Sequence, residues 1–316
     1  MPSAFPVPFA SPASASSPPL SRTPSAPTSR RVCPLLEQES PAVRLADAPQ
    51  PWDLRQCTES GFVFLANPPA QEQFREEFAW EKTHVLESLD RRQREPVVYA
   101  MSQAVKRFRH RVLRRDKVAA VVGALVRERC DQTIRLVDIG CAAGDLLERL
   151  VARVPASTAR RIEPIGIEIS TQLAARADAA LRRRGGRCIH ATGADGLAQL
   201  PADSVDIVVL SCILEHEIAP LPLLRACRER LARDGRIVVK VPNYDCVSRW
   251  LRGSRWCGYR WPDHVNYFTP RTLAAMAERA GLRVVRMNVA DRWPLSDSLY
   301  AIFGRAVPGA VPRDAG

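Results

Sequence analysis

From Thr133 onward the sequence predicts an α/β fold, doubly wound around a mostly parallel sheet of seven strands, with a helical extension on its N-terminal side. Two observations predict it. Short runs rich in Val and Ile alternate with segments whose apolar residues recur at helical spacing, which is the pattern of βαβ units. One strand-to-helix junction, Leu136-Val137-Asp138-Ile139-Gly140-Cys141-Ala142-Ala143-Gly144-Asp145, also turns through glycines, as the junction beside a ligand site does in such sheets.

The first strand is read over 134–139, and Leu146, Leu147, Leu150, Val151 and Val154 give the helical repeat after it. A second strand covers 165–169, with Pro164 tolerable at its edge. Ser170 then caps a helix carrying Leu173, Ala177 and Leu181, which Gly185-Gly186 stops. Strands follow over 187–191 and 205–214. A helix over 223–231 ends at Asp234-Gly235, and the fifth strand runs over 236–241 until Pro242-Asn243 breaks it. After a long aromatic, irregular stretch, Thr269 as N-cap and Pro270 at the first helical position open a helix with Leu273, Met276, Ala277 and Ala280 on its face. Strands over 282–287 and 299–303 complete the set.

The N-terminal part differs. Residues 1–36 hold no acid and are dense in Ser, Pro and Ala, a composition that cannot bury a core, so a disordered extension is expected. It also resembles an organellar transit peptide, and an over-long gene start is the bland reading. A strand-like piece (Phe62, Val63, Phe64, Leu65) precedes charged helical stretches over 72–87 and 97–128. The expected division is a disordered extension at 1–50, a small N-terminal unit and helical cap at 51–130, and the α/β domain at 131–308.

Among 316 residues no apolar run approaches the roughly 20 needed to span a bilayer. The net charge of +12 comes almost wholly from arginine, a ratio that GC-rich codons produce without selection for phosphate binding. The densest basic stretch, 91–117, would serve either as a solvated helix face or as an attraction for RNA or an anionic substrate. Nine cysteines without paired spacing point to reduced thiols and a cytoplasmic setting.

The glycine turn carries the chemistry. Gly140 permits a tight turn and close approach of a ligand. Gly144 sits where the following helix packs against the strand. Dinucleotide enzymes use G-x-G-x-x-G to hold a pyrophosphate. Here the spacing is G-x-x-x-G with acids at Asp138 and Asp145, which would repel a pyrophosphate.

With Asp138, Gly140 and Gly144 in register, the segment resembles motif I of class I S-adenosylmethionine (SAM)-dependent methyltransferases; Ala142 stands where that family often has a second glycine. The resemblance covers roughly 132–305 and implies a Rossmann-like methyltransferase fold with SAM as cofactor. It implies that Asp138 and the Gly140–Gly144 backbone, Ala142 included, meet the cationic methionine end. Glu168 would take the ribose hydroxyls and Asp195 the adenine amino group, although the spacing from Asp195 to Leu200-Pro201 is one residue long. The run 206–216 resembles motif IV, and 231–235 the turn before strand five. Cys33-Pro34-Leu35-Leu36 and Cys57-Thr58-Glu59-Ser60-Gly61 resemble the two knuckles of a zinc ribbon found ahead of some members, with Leu36 and Ser60 replacing the second cysteines. A structural zinc site needs four ligands, so no metal is expected.

Methyl transfer from a sulfonium needs mainly alignment of donor and acceptor, plus a general base when the acceptor is a hydroxyl or a protonated nitrogen. His264, beside Asp263 in the aromatic segment 256–268, is the first base candidate; capping is its alternative role. His216, at the end of strand four, is the second, with ordering of the donor loop as its alternative. The aromatic segment would be either a pocket wall or a plug over the sheet edge, and Trp80 and His84 are candidates to cover the donor. The expected function is methylation of a small-molecule acceptor at O or C, a sugar or lipid-like intermediate. The alternatives are an RNA methyltransferase, a non-catalytic SAM-binding or interaction module, or an NAD-binding oxidoreductase.

Overall fold

The computed structural model describes residues 31–69, 100, 116–129 and 133–306. The extension before Arg31, the helical stretch over 72–87 with Trp80 and His84, and nearly all of the basic stretch 91–117 lie outside the described residues.

The main sheet contains β4 (Ile134–Ile139), β5 (Ile162–Glu168), β6 (Arg187–His190), β7 (Val205–Ser211), β8 (Leu231–Pro242), β10 (Leu282–Arg286) and β11 (Ser298–Arg305), in the order β10-β11-β8-β7-β4-β5-β6. β4 to β8 pair in parallel, while β11 runs antiparallel to both β8 and β10. From β4 the chain winds outward through β5 and β6, then returns to β4's other side to lay down β7 and β8. This reversal makes the topological switch point, the crevice outside the strand ends where ligands bind in such sheets. It lies between β4 and β7.

Alternation along β4 feeds two cores, as strand geometry requires. Val137 and Ile139 join the layer of α6 (Pro220–Arg230) and α8 (Pro270–Arg279), while Ile134 and Leu136 join that of α1 (Lys117–Arg127) and α2 (Asp145–Arg153). Three helices start where the side chains direct them. Ser170 accepts the Leu173 amide to open α4 (Thr171–Arg182), and Thr192 accepts the Asp195 amide to open α5 (Gly193–Ala198). Thr269 and Thr272 form a reciprocal capping box before α8, with Pro270 in its first turn.

β8 starts five residues before the expected strand. The segment 231–235 reads as a turn, but Leu231 pairs with Val205, and a register shift between Val205 and Ile207 absorbs the extra residues as a bulge.

A second sheet joins β1 (Ala42–Arg44), β2 (Leu54–Cys57), β3 (Val63–Leu65) and β9 (Asn266–Tyr267), all antiparallel. It corrects the expected limit of disorder at residue 50, because ordered structure is present from Arg31. Cys33, Leu35, Cys57, Phe62 and Phe64 are buried in the main core, enough apolar surface to fix a Pro-rich segment. The two knuckles meet: Cys33 Sγ lies 3.4 Å from Ser60 Oγ, and the Ser60 amide donates to Cys57 Sγ at 3.5 Å. Leu36 packs on the main core instead of completing a ligand set.

Candidate active site

The loop after β4 has backbone amides on one side of the switch point. Gly140 (φ +69°), Ala142 (φ +49°) and Gly144 (φ +86°) are all left-handed. A Cβ on Gly140 would meet Ile213 Cδ1, which would have to shift, and the left-handed backbone calls for glycine there in any case. At Gly144 a Cβ would sit 3.6 Å from Ala177, an ordinary contact, so the left-handed backbone rather than crowding calls for glycine there.

Asp138 and Glu168, both buried, end adjacent parallel strands. Glu168 accepts from the Ala142 amide with Oε2 and from the Ser170 amide with Oε1, each at 2.9 Å. It therefore braces the glycine turn as well as ending its strand. Burial, reinforced by Glu168, raises Asp138 to about 7, with Arg149 opposing. Two buried carboxylates on neighbouring strands suit a cationic ligand. Asp195 sits apart in the first turn of α5, exposed, and accepts from the Thr192 hydroxyl at 2.7 Å.

The other wall is the loop after β7. Cys212 is left-handed (φ +61°) and turns the chain so that Leu214 and Glu215 are buried while His216 is partly open. The segment after α7 (Val247–Arg252) straps this loop. Val265 and Asn266 amides donate to the Glu215 carbonyl at 2.8 and 3.1 Å. The Asn266 side-chain amide donates to Leu214 and Glu217 carbonyls, both at 2.7 Å. Arg31 closes the strap from the small sheet, reaching the Val265 carbonyl (3.1 Å), the Glu217 carbonyl (3.2 Å), the Ile218 carbonyl and Asn266 Oδ1 (2.9 Å). Nothing in the sequence around Arg31 marks this role, since its partners lie about two hundred residues away.

The two histidines come together, with ring centroids 4.7 Å apart in an edge arrangement. Their environments differ. His264 is 4% exposed, and its Nδ1 lies 2.8 Å from the Gly258 carbonyl. Burial first, then His216 and Arg260, hold it well below its usual range, so it is neutral. His216 retains 23% side-chain exposure, and its Nδ1 is 3.1 Å from Asp263 Oδ1. Burial opposes its protonation, but Asp263 by charge and hydrogen bond, with Glu215, outweighs it and raises His216 above its usual range. With the Nδ1–H donating to Asp263, Nε2 carries the free lone pair. Asp263 stays ionised despite burial because His216, by charge and hydrogen bond, and Arg260 offset it.

Sequence reading expected no metal. Even so, Glu215, His216 and His264 offer ligand atoms within 4.8 Å of one another, and buried Glu215 Oε2 makes no hydrogen bond among the described residues.

The aromatic segment is largely a plug. Tyr244, Trp256, Tyr259 and Tyr267 are buried with Leu54 and Val63 of the small sheet, and Trp261 stacks on Tyr259 at 5.3 Å as the half-open member.

A model of the methyltransferase domain matches residues 101–287. The chain belongs to this methyltransferase domain family. It is a SAM-dependent methyltransferase, and the buried carboxylates Asp138 and Glu168 have the charge to suit that cofactor's cationic end. The chain is similar to a ubiquinone biosynthesis O-methyltransferase of Cupriavidus pinatubonensis, 29% identical over 53% of this chain and 67% of the relative. A protein of the same name from Aeromonas salmonicida is 29% identical over 52% of this chain and 68% of its own length. Among solved structures, a SAM-dependent methyltransferase from Archaeoglobus fulgidus matches at 19% identity with a TM-score of 0.42, over 59% of this chain and 94% of that one.

Proposed function

We propose that this methyltransferase acts on a hydroxyl of a small molecule, a phenol or catechol with an apolar substituent. The His216–Asp263 pair carries the reading. A hydroxyl acceptor must lose a proton to attack the sulfonium carbon, and a neutral imidazole steered by a carboxylate is the base for that step. The relatives, O-methyltransferases of ubiquinone biosynthesis, favour oxygen and the hydroxylated ring of a quinone precursor.

Bound SAM supplies an already activated methyl group. The protein's part is placement and proton removal. Asp138 and the 140–144 backbone would receive the methionine end, Glu168 the ribose and Asp195 the adenine. Across the switch point His216 would take the acceptor proton on Nε2, and Asp263 would stabilise the imidazolium. His264, neutral and buried, holds the His216 ring edge-on. We place the catalytic domain at 131–308 and read the small sheet and Arg31 as the strap that fixes its base. Free cysteines throughout the described residues support a reducing, cytoplasmic setting. Among the described residues no helix is long and apolar enough to cross a membrane.

Incubating the protein with methyl-labelled SAM and a panel of catechols, phenols, carbon acids and bulk RNA tests the assignment. Label in the ether product of a catechol or phenol supports it. Label only in RNA or on carbon refutes it. A second reading rests on the unpartnered Glu215 Oε2: a divalent cation held with His216 and His264 would acidify the hydroxyl instead. Turnover lost to a chelator and restored by the cation would select it over the imidazole base.

A further inference from the structure

Two segments at the carboxyl-end edge of the sheet leave large apolar side chains in solvent. α7 carries Trp250, 82% exposed, and Leu251, 78% exposed, with Val247 beside them. The loop before β11 carries Trp293 and Leu295, 48% and 66% exposed. The segments are stitched together. The Val247 amide donates to the Pro294 carbonyl at 2.8 Å, and Asp297 accepts from the Trp256 indole at 3.0 Å and the Cys246 thiol at 3.4 Å. One exposed apolar side chain needs no explanation; five on two joined segments form a patch.

The charge around the patch is predominantly positive, with Asp245 and Asp297 the exposed acids at its flanks. Residues 247–255 contain Arg249, Arg252 and Arg255 and no acid, and Arg292 adjoins Trp293. Arg255 and Arg292 are exposed. Tryptophan rings suit the headgroup layer of a bilayer, leucines reach past it, and guanidinium groups pair with lipid phosphates. A second copy docked symmetrically on this face would set arginine against arginine.

We infer that α7 and the 292–295 loop form a docking patch for an anionic membrane surface. The strand ends that bear His216 open at this same edge, so docking brings the catalytic crevice toward the lipid. That consequence, collection of a lipid-like acceptor from the bilayer, rests on the proposed function; the docking itself does not.

The test is co-sedimentation of the whole chain with vesicles of phosphatidylcholine, alone or mixed with phosphatidylglycerol. The protein is expected to pellet with the mixed vesicles only and to be released by salt. W250S/L251S should weaken partitioning at least tenfold, and R255E/R292E by roughly fivefold or more per arginine. SAM affinity, measured on the same preparations, should match wild type and so certify the fold. The inference is overturned if wild type stays in the supernatant, if both variants bind like wild type, or if W250S/L251S instead converts a dimer to a monomer. Methylation of a water-soluble catechol without vesicles, unchanged in the variants, is read separately: its absence sinks the proposed function and leaves the docking result standing.

Discussion

Asp138 should make donor binding depend on pH in a way that can be worked out beforehand. Its carboxyl is 3% exposed and raised from 3.8 to about 7 by burial and by Glu168. A shift of that size makes the buried charge unfavourable by roughly 4 kcal/mol, which a cationic ligand offsets on arrival. SAM binds the ionised form, so its apparent affinity falls as protons occupy the site. With a free-state pKa near 7, Kd should be about fivefold weaker at pH 6 than at pH 7, and roughly tenfold weaker again at pH 5. Over this range the donor's own amino group stays protonated. Calorimetric titration at each pH, in buffers of different ionisation enthalpy, reads both Kd and the protons released. Asp138→Asn keeps the shape, removes the titration and should flatten the profile. A wild-type Kd equal at pH 6 and pH 7, or an unchanged slope in the Asn variant, would refute the reasoning.

Other expectations follow from neighbouring residues. Glu168→Ala should weaken SAM binding by well over tenfold, because the turn loses its brace on the Ala142 amide together with the proposed acceptor for the ribose; unchanged calorimetric affinity would remove Glu168 from the site. Ala142→Gly should leave stability unchanged or raise it by about 1 kcal/mol in thermal melts, since φ of +49° is strained for alanine and relaxed for glycine. A loss of stability there would mean that the left-handed turn is absent. The acid limb of the pH–rate profile should lie above the ordinary histidine pKa of about 6.5, because His216 must be neutral to act and Asp263 favours its charged form. Asp263→Asn should move that limb to lower pH, and an unmoved limb would assign it to another group.

The main sheet was legible because its signals are local. Val and Ile alternation marks β4 and β7, Ser170 and Thr269 name their own helices, and Gly140 and Gly144 announce the left-handed turn after β4. What escaped depends on contacts between distant segments. The small sheet is closed by β9, some two hundred residues after β3, so composition alone assigned residues 31–50 to disorder. The bulge that admits 231–235 into β8 depends on its partner Val205, not on the Asp234-Gly235 pair that reads as a turn. The contacts that distinguish the two histidines are non-local as well. Next to Asp263 in sequence, His264 is the natural partner, yet backbone geometry turns Asp263 back onto His216 and buries His264 against Gly258. The aromatic run had two readings in the sequence, and burial against Leu54 and Val63 gives most of it to packing.

The most direct measurement is steady-state methyl transfer to the best catechol by wild type and His216→Ala, with SAM affinity measured alongside. If His216 is the base, kcat falls by roughly 10²–10⁴-fold, SAM affinity stays at the wild-type value, and added imidazole restores part of the rate. A His216→Ala protein that turns over like wild type would contradict the assignment of the base and the O-methylation reading built on it.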